Sequence, residues 1–289
     1  MQNNFDGFAA VVVHYDSVNT LKKTIQSLRN FLPASRIVVV DNSSSLVQLP
    51  NDLDAIVLDD GRNYGYAGGV NHGIRYAESE LSSIREVLVC THETIFRGNA
   101  IQTLLDTARA YPNGHVIGPR LVTRSESGEE VTWSNGGVYS FPLLYPKHRL
   151  RSSTGGTVSV KWVDGAAFVV DLATWKKLGG VPEEFFMYME DVALGELCRR
   201  ANVPVLVNLD AVVEQTANGP SRSLAIRNRV LLAQRYMRLD SRLIVLLDVF
   251  LRQIIMSIHP NRDVRAKSRE SRDAVRATGD IYKSVGRLG

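Results

Sequence analysis

A mostly parallel α/β sheet flanked by helices, with a helical appendage at the carboxyl end, follows from three features of this sequence. The uninterrupted apolar run at residues 8–13, and the strand at 36–40 with its apolar Ile37 to Val40, read as strands buried on both faces. Between them Leu21, Ile25 and Leu28 recur at helical spacing behind Ser17 and Asn19, either of which can cap, so strand, helix and strand make a right-handed crossover unit. Both runs end in polar tips, His14-Tyr15 and Asp41-Asn42, which such a sheet gathers beyond the carboxyl ends of its strands, where ligands bind.

The remaining elements extend this plan. Residues 55–58 give a third strand leading into Asn63-Tyr64-Gly65-Tyr66-Ala67-Gly68-Gly69-Val70-Asn71. Glycines there let a backbone come close to a ligand, and a helix starting near Val70 offers free N–H groups to phosphate; such turns are also often merely turns. The first strand is followed by HYDS, which excludes the dinucleotide fingerprint, and no phosphate-loop lysine motif occurs. A fourth strand, 86–90, ends in Thr91-His92-Glu93-Thr94, and a helix over 99–110 carries Ile101, Leu104, Leu105 and Ala108 inward. Residues 116–119 form a short strand, 123–130 a polar turn, Trp133 to Gly137 a loop or strand edge, and 141–157 an irregular crossing.

Residues 162–200 hold the densest chemistry. The turn Asp164-Gly165-Ala166 enters a strand, 167–170, and a short helix, 172–178, stops at Gly179-Gly180 before Pro182. The cluster Phe185-Phe186-Met187-Tyr188 then precedes Glu190 and Asp191, which open a helix carrying Val192, Leu194, Leu197 and Cys198. Acids in a first helical turn complement the macrodipole, so the pair reads as a helix start; beside an apolar wall it also reads as a held general base. Closing strands at 203–207 and 211–213 lead to Glu214, and Arg227 opens a further helix, as an exposed cation or an anion contact.

Bulk properties bound the function. With 289 residues, 44% apolar and 22% charged, the chain has ample length for one large domain, taken as 1–230, and an appendage, 231–289. The net charge of +4 is too small to argue for nucleic acid, and the eight bases and four acids from Arg262 onward account for all of it. Cys90 and Cys198 lack metal or redox spacing and read as buried free thiols in a reducing compartment. The amino terminus shows no secretory pattern, which predicts a cytoplasmic protein. Residues 243–258 are apolar but too short and too charged to span a bilayer. They predict a helix packed on the domain, on a partner such as a second copy, or against the face of a membrane, with the basic tail near anionic headgroups or simply solvated.

The segments VVVHYDS, VVVDNSSS and NYGYAGGVN, with the ordered stretch from Trp162 to Arg200, resemble inverting family-two glycosyltransferases, and more narrowly the bacterial rhamnosyltransferase-like branch that elongates lipid-linked and cell-surface glycans. The resemblance implies a glycosyltransferase type A fold and transfer of a sugar from a UDP- or dTDP-sugar to a hydroxyl of a glycan or lipid-linked acceptor. It makes Asp191 the base, with Glu190 orienting the helix start or an acceptor hydroxyl. Asp41 would read the pyrimidine, a role that suits a pure acceptor. His14, Tyr15, Asn42, Asn63, Gly68, Gly69, Asn71 and Thr91 would line the nucleotide-sugar cleft, and Arg227 would steady the diphosphate. Trp133, Trp162, Asp164 and Gly165 would shape the sugar or acceptor pocket. Relatives hold Mg²⁺ or Mn²⁺ through an Asp-x-Asp and a later histidine; here Thr91-His92-Glu93 stands in the first place and Glu214 in the second, which leaves Glu93 and Glu214 as the candidate ligands. The thinner metal motif also fits a nucleotide-sugar-binding protein that no longer catalyses.

Overall fold

The computed structural model describes residues 5–258 apart from 6, 44–48, 151–154 and 217–221, with isolated positions beyond 258. The first crossover unit forms as expected. β1 (Phe8–His14) is buried throughout, α1 (Val18–Arg29) turns Leu21, Ile25 and Leu28 inward, and β2 (Ile37–Asp41) pairs in parallel with β1, so that His14 lies beside Asp41. Ser17 takes the cap position of α1 without a side-chain bond. β3 (Ile56–Leu58) continues the parallel set next to β2; α2 (Gly65–Glu80) follows, and β4 (Glu86–Thr91) joins the other side of β1.

Past β4 the sheet becomes mixed. β5 (Thr94–Phe96), α3 (Ala100–Arg109), β6 (Val116–Arg124), β7 (Glu130–Ser134), β8 (Gly137–Ser140), β9 (Tyr145–His148), β10 (Thr157–Ser159), β11 (Ala167–Asp171), α4 (Leu172–Leu178), α5 (Glu190–Ala201), β12 (Val205–Gln215), α6 (Arg222–Arg235) and α7 (Leu239–Ser257) complete the described elements. The main sheet runs β10-β12-β6-β11-β4-β1-β2-β3, with β11 antiparallel to both β4 and β6. Alternate residues of each central strand face opposite layers. Ala10, Val12, Val39 and Leu88 pack with the stripes of α1 and α3, while Val11, Val13, Val38 and Val89 pack with Val70, Ile74, Trp175 and Leu194 from α2, α4 and α5. Both faces are covered, so the strands read as unbroken apolar runs.

Several element bounds differ from the expectation. The helix placed near Val70 begins at Gly65, so Gly68, Gly69 and Asn71 lie within it. The crossing at 141–157 contains β9, while the polar turn expected at 123–130 is present as the connection of a β6–β7 hairpin. The two closing strands are one, β12, with a register shift between Asn208 and Val212. The chain divides into two compact units: residues 1–138, 147–186 and 190–217 form the first, and 139–146, 187–189 and 218–289 the second. The boundary expected at 230/231 falls within α6.

In the second unit Asn228, fully buried, donates through Nδ2 to the carbonyls of Met187 and Tyr188 at 2.7 Å each. Those bonds hold a run in which Tyr188 and Met189 have φ of 71° and 72°, unfavourable for side chains of this size. Arg229 is buried against Asp248 of α7 at 2.6 Å and lies 4.7 Å over the Tyr145 ring.

Candidate active site

The first unit gathers its unusual carboxylates where α5 begins. Asp164 sits in the turn before β11; its Oδ1 accepts from Ala166 N and its Oδ2 from the Trp133 indole at 3.2 Å. The same turn donates Gly165 N–H to Asp191 Oδ2 at 3.2 Å, while Val192 N–H reaches Asp191 Oδ1 at 2.8 Å. Burial first, and the neighbouring Asp164 second, raise the Asp191 carboxyl to about 7. Glu190 is buried, its Oε2 has no hydrogen-bond partner among the described residues, and burial and then Asp191 hold it well above the carboxylate range. Two adjacent carboxylates do not both ionise readily in such a place, and the one with two N–H donors and an open face carries the charge. Asp191 is therefore the more readily ionised member of the pair, and Glu190 the one that burial and Asp191 push further towards its protonated form. Tyr66, from α2, donates its hydroxyl to Gly165 O and is itself pushed up by burial and then by Glu190 and Asp191.

Around Asp164 lies an aromatic group. His148 stands 3.5 Å from Asp164 Oδ2, with its ring 5.4 Å from Trp133 and 5.1 Å from Trp162. Sequence patterning singled out the two tryptophans but neither His148 nor Tyr66; Tyr66 sat unassigned within the glycine-rich stretch, and nothing local marks His148. Trp162 itself is only 4% exposed and its ring packs flat on Gly137, where a Cβ would lie within 1.8 Å of it. It is a wall behind the pocket, with Trp133 nearer its surface.

At the same carboxyl ends of the parallel strands, where Thr91 N–H also donates to Ala166 O, His14 Nδ1 and Ser43 N–H both reach Asp41 Oδ1, at 3.0 and 2.9 Å, and the His14 ring meets His92 edge-on at 5.0 Å. His14 is buried, whereas Tyr15 next to it is exposed. Asn42 braces the start of α2 by donating to Gly65 O and accepting from Tyr64 N, and Asn63 Oδ1 accepts from Gly65 N. The glycines of α2 approach protein: a Cβ on Gly69 would meet Val13 at 3.0 Å and one on Gly68 would meet Tyr64 at 2.9 Å. Asn71 is buried and latches Val181 through both its N–H and its C=O, at 3.0 and 2.8 Å. Gly69 thus packs α2 on the sheet, Gly68 faces Tyr64 at the start of its own helix, and Asn71 ties α2 to the segment after α4. Arg227 lies in the second unit, where it donates to Asn228 Oδ1 at 2.7 Å.

The two candidate metal ligands differ in standing. Glu214 accepts from Arg97 and from Arg124, and those bonds pull its carboxyl below the usual range; a group so neutralised has little left for a cation. Glu93 is partly exposed beyond β4, close to Thr91, and burial raises its carboxyl. His92, held down to about 4 by burial first and then by His14, is neutral; its Nδ1 donates to Val13 O, which leaves the Nε2 lone pair 4.0 Å from Glu93 Oε1. Among the described residues no three His, Cys, Asp or Glu side chains converge on one point. One carboxylate beside a neutral imidazole fits a hard cation held chiefly by substrate oxygens and water.

Residues 9–173 match the model of glycosyl transferase family 2, and the chain belongs to that family. It is 29% identical over 209 residues to a low-salt glycan biosynthesis hexosyltransferase of Haloferax volcanii, a match covering 71% of this chain and 65% of that protein. A Mycobacterium tuberculosis N-acetylglucosaminyl-diphospho-decaprenol L-rhamnosyltransferase is 26% identical over 211 residues, 62% of this chain and 67% of that one. The chain thus spans about two thirds of the curated relatives it matches. Among solved structures, GalNAc-T7 with UDP, GalNAc and Mn²⁺ superposes with a TM-score of 0.60 at 14% identity, covering 94% of this chain and 55% of that one. Staphylococcus aureus TarS does so at 0.56 and 16%, covering 96% and 91%. The fold is of the glycosyltransferase A type.

Proposed function

We propose that this protein transfers a hexose, with rhamnose among the candidates, from a UDP- or dTDP-sugar to an acceptor hydroxyl with inversion, in glycan assembly. The reading rests above all on Asp191, a carboxylate raised to about 7 in a family-two fold and set between two backbone N–H donors. Ionised Asp191 takes the proton of the acceptor hydroxyl as its oxygen attacks the anomeric carbon from the side opposite the diphosphate, and a positioned base of this kind contributes about 10²–10⁴-fold. Glu190, whose carboxyl burial and then Asp191 raise, favours its proton beside the base. Asp164, Gly165, Trp133 and His148 form the acceptor side, and Asp41 meets the pyrimidine with His14, Tyr15 and Thr91 nearby. Arg227 is assigned to the leaving diphosphate. Glu93 with His92 would hold Mg²⁺ or Mn²⁺, which would supply positive charge against the leaving diphosphate.

The decaprenol-linked substrate named for the mycobacterial relative supports a lipid-linked acceptor here, and with it work at a cytoplasmic membrane face. A panel of UDP-, dTDP- and GDP-sugars, with and without Mn²⁺, tests the whole reading. Turnover of one donor with an inverted anomeric product by NMR is expected. Tight donor binding with no turnover on any acceptor points instead to a non-catalytic nucleotide-sugar-binding protein, the reading that the single carboxylate at Glu93 favours.

A further inference from the structure

The helix α7 is built inside out. Its inward face carries Val245, 1% exposed, and Asp248, 7% exposed, the latter locked between Arg229 at 2.6 Å and Arg252 at 2.8 Å. These contacts fix how the helix is rotated. Its outward face consists of Leu243, Ile244, Leu247, Phe250, Leu251, Ile254, Ile255 and Ile258, all exposed. At 100° per residue these eight fall within an arc of about 140°, and no charged residue after Asp240 interrupts it. Large apolar side chains so grouped make a patch on the order of several hundred Å², at or above what soluble monomers commonly leave bare. No described helix is long and apolar enough to cross a membrane, so the face lies along an apolar partner rather than through a bilayer.

We infer that this face of α7 docks onto an anionic lipid surface. Charge decides between the possible occupants. Arg238 is exposed at the amino end of the helix, and the chain beyond Ile258 carries eight bases against four acids. A second copy would bring the same positive groups against themselves, whereas anionic headgroups complement them at about 1 kcal/mol for each base near the surface. An apolar helix face with basic flanks is the arrangement that settles into the headgroup boundary. The inference deepens the lipid-linked reading, supplying the surface that meets the bilayer, but its evidence is independent of the transfer site.

The test is flotation of the full chain with phosphatidylcholine vesicles, with and without phosphatidylglycerol, beside the triple variant Leu247→Gln, Leu251→Gln, Ile254→Gln. All three side chains point outward, so circular dichroism and nucleotide-sugar binding are expected to stay unchanged in the variant. Binding to anionic vesicles is expected to weaken at high salt and to drop at least about tenfold in the variant. Equal flotation of the two proteins overturns the inference, as does equal binding to neutral and anionic vesicles. So does a concentration-dependent dimer, by light scattering, that the triple variant dissolves while vesicle binding is absent; this makes a second copy the occupant. Donor binding measured in parallel separates these failures from failure of the transferase reading, which it alone reports.

Discussion

Asp191 and Glu214 are carboxylates on neighbouring parts of one chain, and their surroundings push them in opposite directions. Asp191, half-buried, receives two backbone N–H bonds and faces Asp164; its proton leaves only near pH 7. Glu214 receives the guanidinium groups of Arg97 and Arg124 and loses its proton below the ordinary range. A base for an acceptor hydroxyl must want a proton at working pH, and only the first does. The second is a clasp between β12 and the arginines around it. Partners, not residue type, divide the two roles.

The sharpest way to break this contrast is Asp191→Asn, which keeps the shape and removes the base. Transfer should fall about 10²–10⁴-fold, with donor binding by calorimetry and the far-ultraviolet spectrum unchanged. Turnover near the parent rate would end the assignment.

The same substitution has a stability signature whose sign follows from linkage. The folded carboxyl holds its proton from the unfolded value of 3.8 up to about 7, so the native state is favoured while the group is protonated and loses that advantage as pH rises across this window. Asp191→Asn should therefore exceed the parent in stability at pH 8, by on the order of 2 kcal/mol, and match it near pH 4. In the parent, kcat/KM should climb about tenfold per pH unit below 7 and level off above it. A flat profile, or a variant less stable at pH 8, contradicts the raised carboxyl.

Glu93→Gln sharpens the metal side: it should weaken Mn²⁺ binding in the presence of UDP, read by calorimetry, without moving the melting temperature. The smallest effect belongs to Glu214→Gln. Two partly exposed ion pairs are lost at a cost of about 1 kcal/mol or less, and metal dependence stays as it was. Loss of metal-dependent turnover in that variant would make Glu214 a ligand and erase the distinction.

Much of this architecture was legible beforehand, because local chemistry specifies it. Helix α4 ends at a left-handed Gly179 before Pro182, and Asp171 caps it by accepting from Thr174 N–H, so its bounds followed from sequence alone. The strands β1, β2 and β4 were plain because their two faces are both buried. The start of α2 was misjudged for the opposite reason. Glycine normally disfavours helix, yet here bare Cα positions let the helix sit against Val11, which a Cβ on Gly73 would meet at 2.3 Å. Packing overrode propensity, and Gly68, Gly69 and Asn71 lie within the helix rather than before it.

By itself the sequence determined the parallel core, the polar tips at its strand ends and the family-like order of the segment from Trp162 to Arg200, since runs, caps and breaks act over a few residues. Only the tertiary structure decided which carboxylate is desolvated and which is clasped by arginine. It alone brought His148 and Tyr66 to Asp164 and Gly165, and it turned the apolar side of α7 outward while burying Asp248. Such outcomes depend on groups distant in the chain meeting within a few ångströms, where desolvation and Coulomb energies are set.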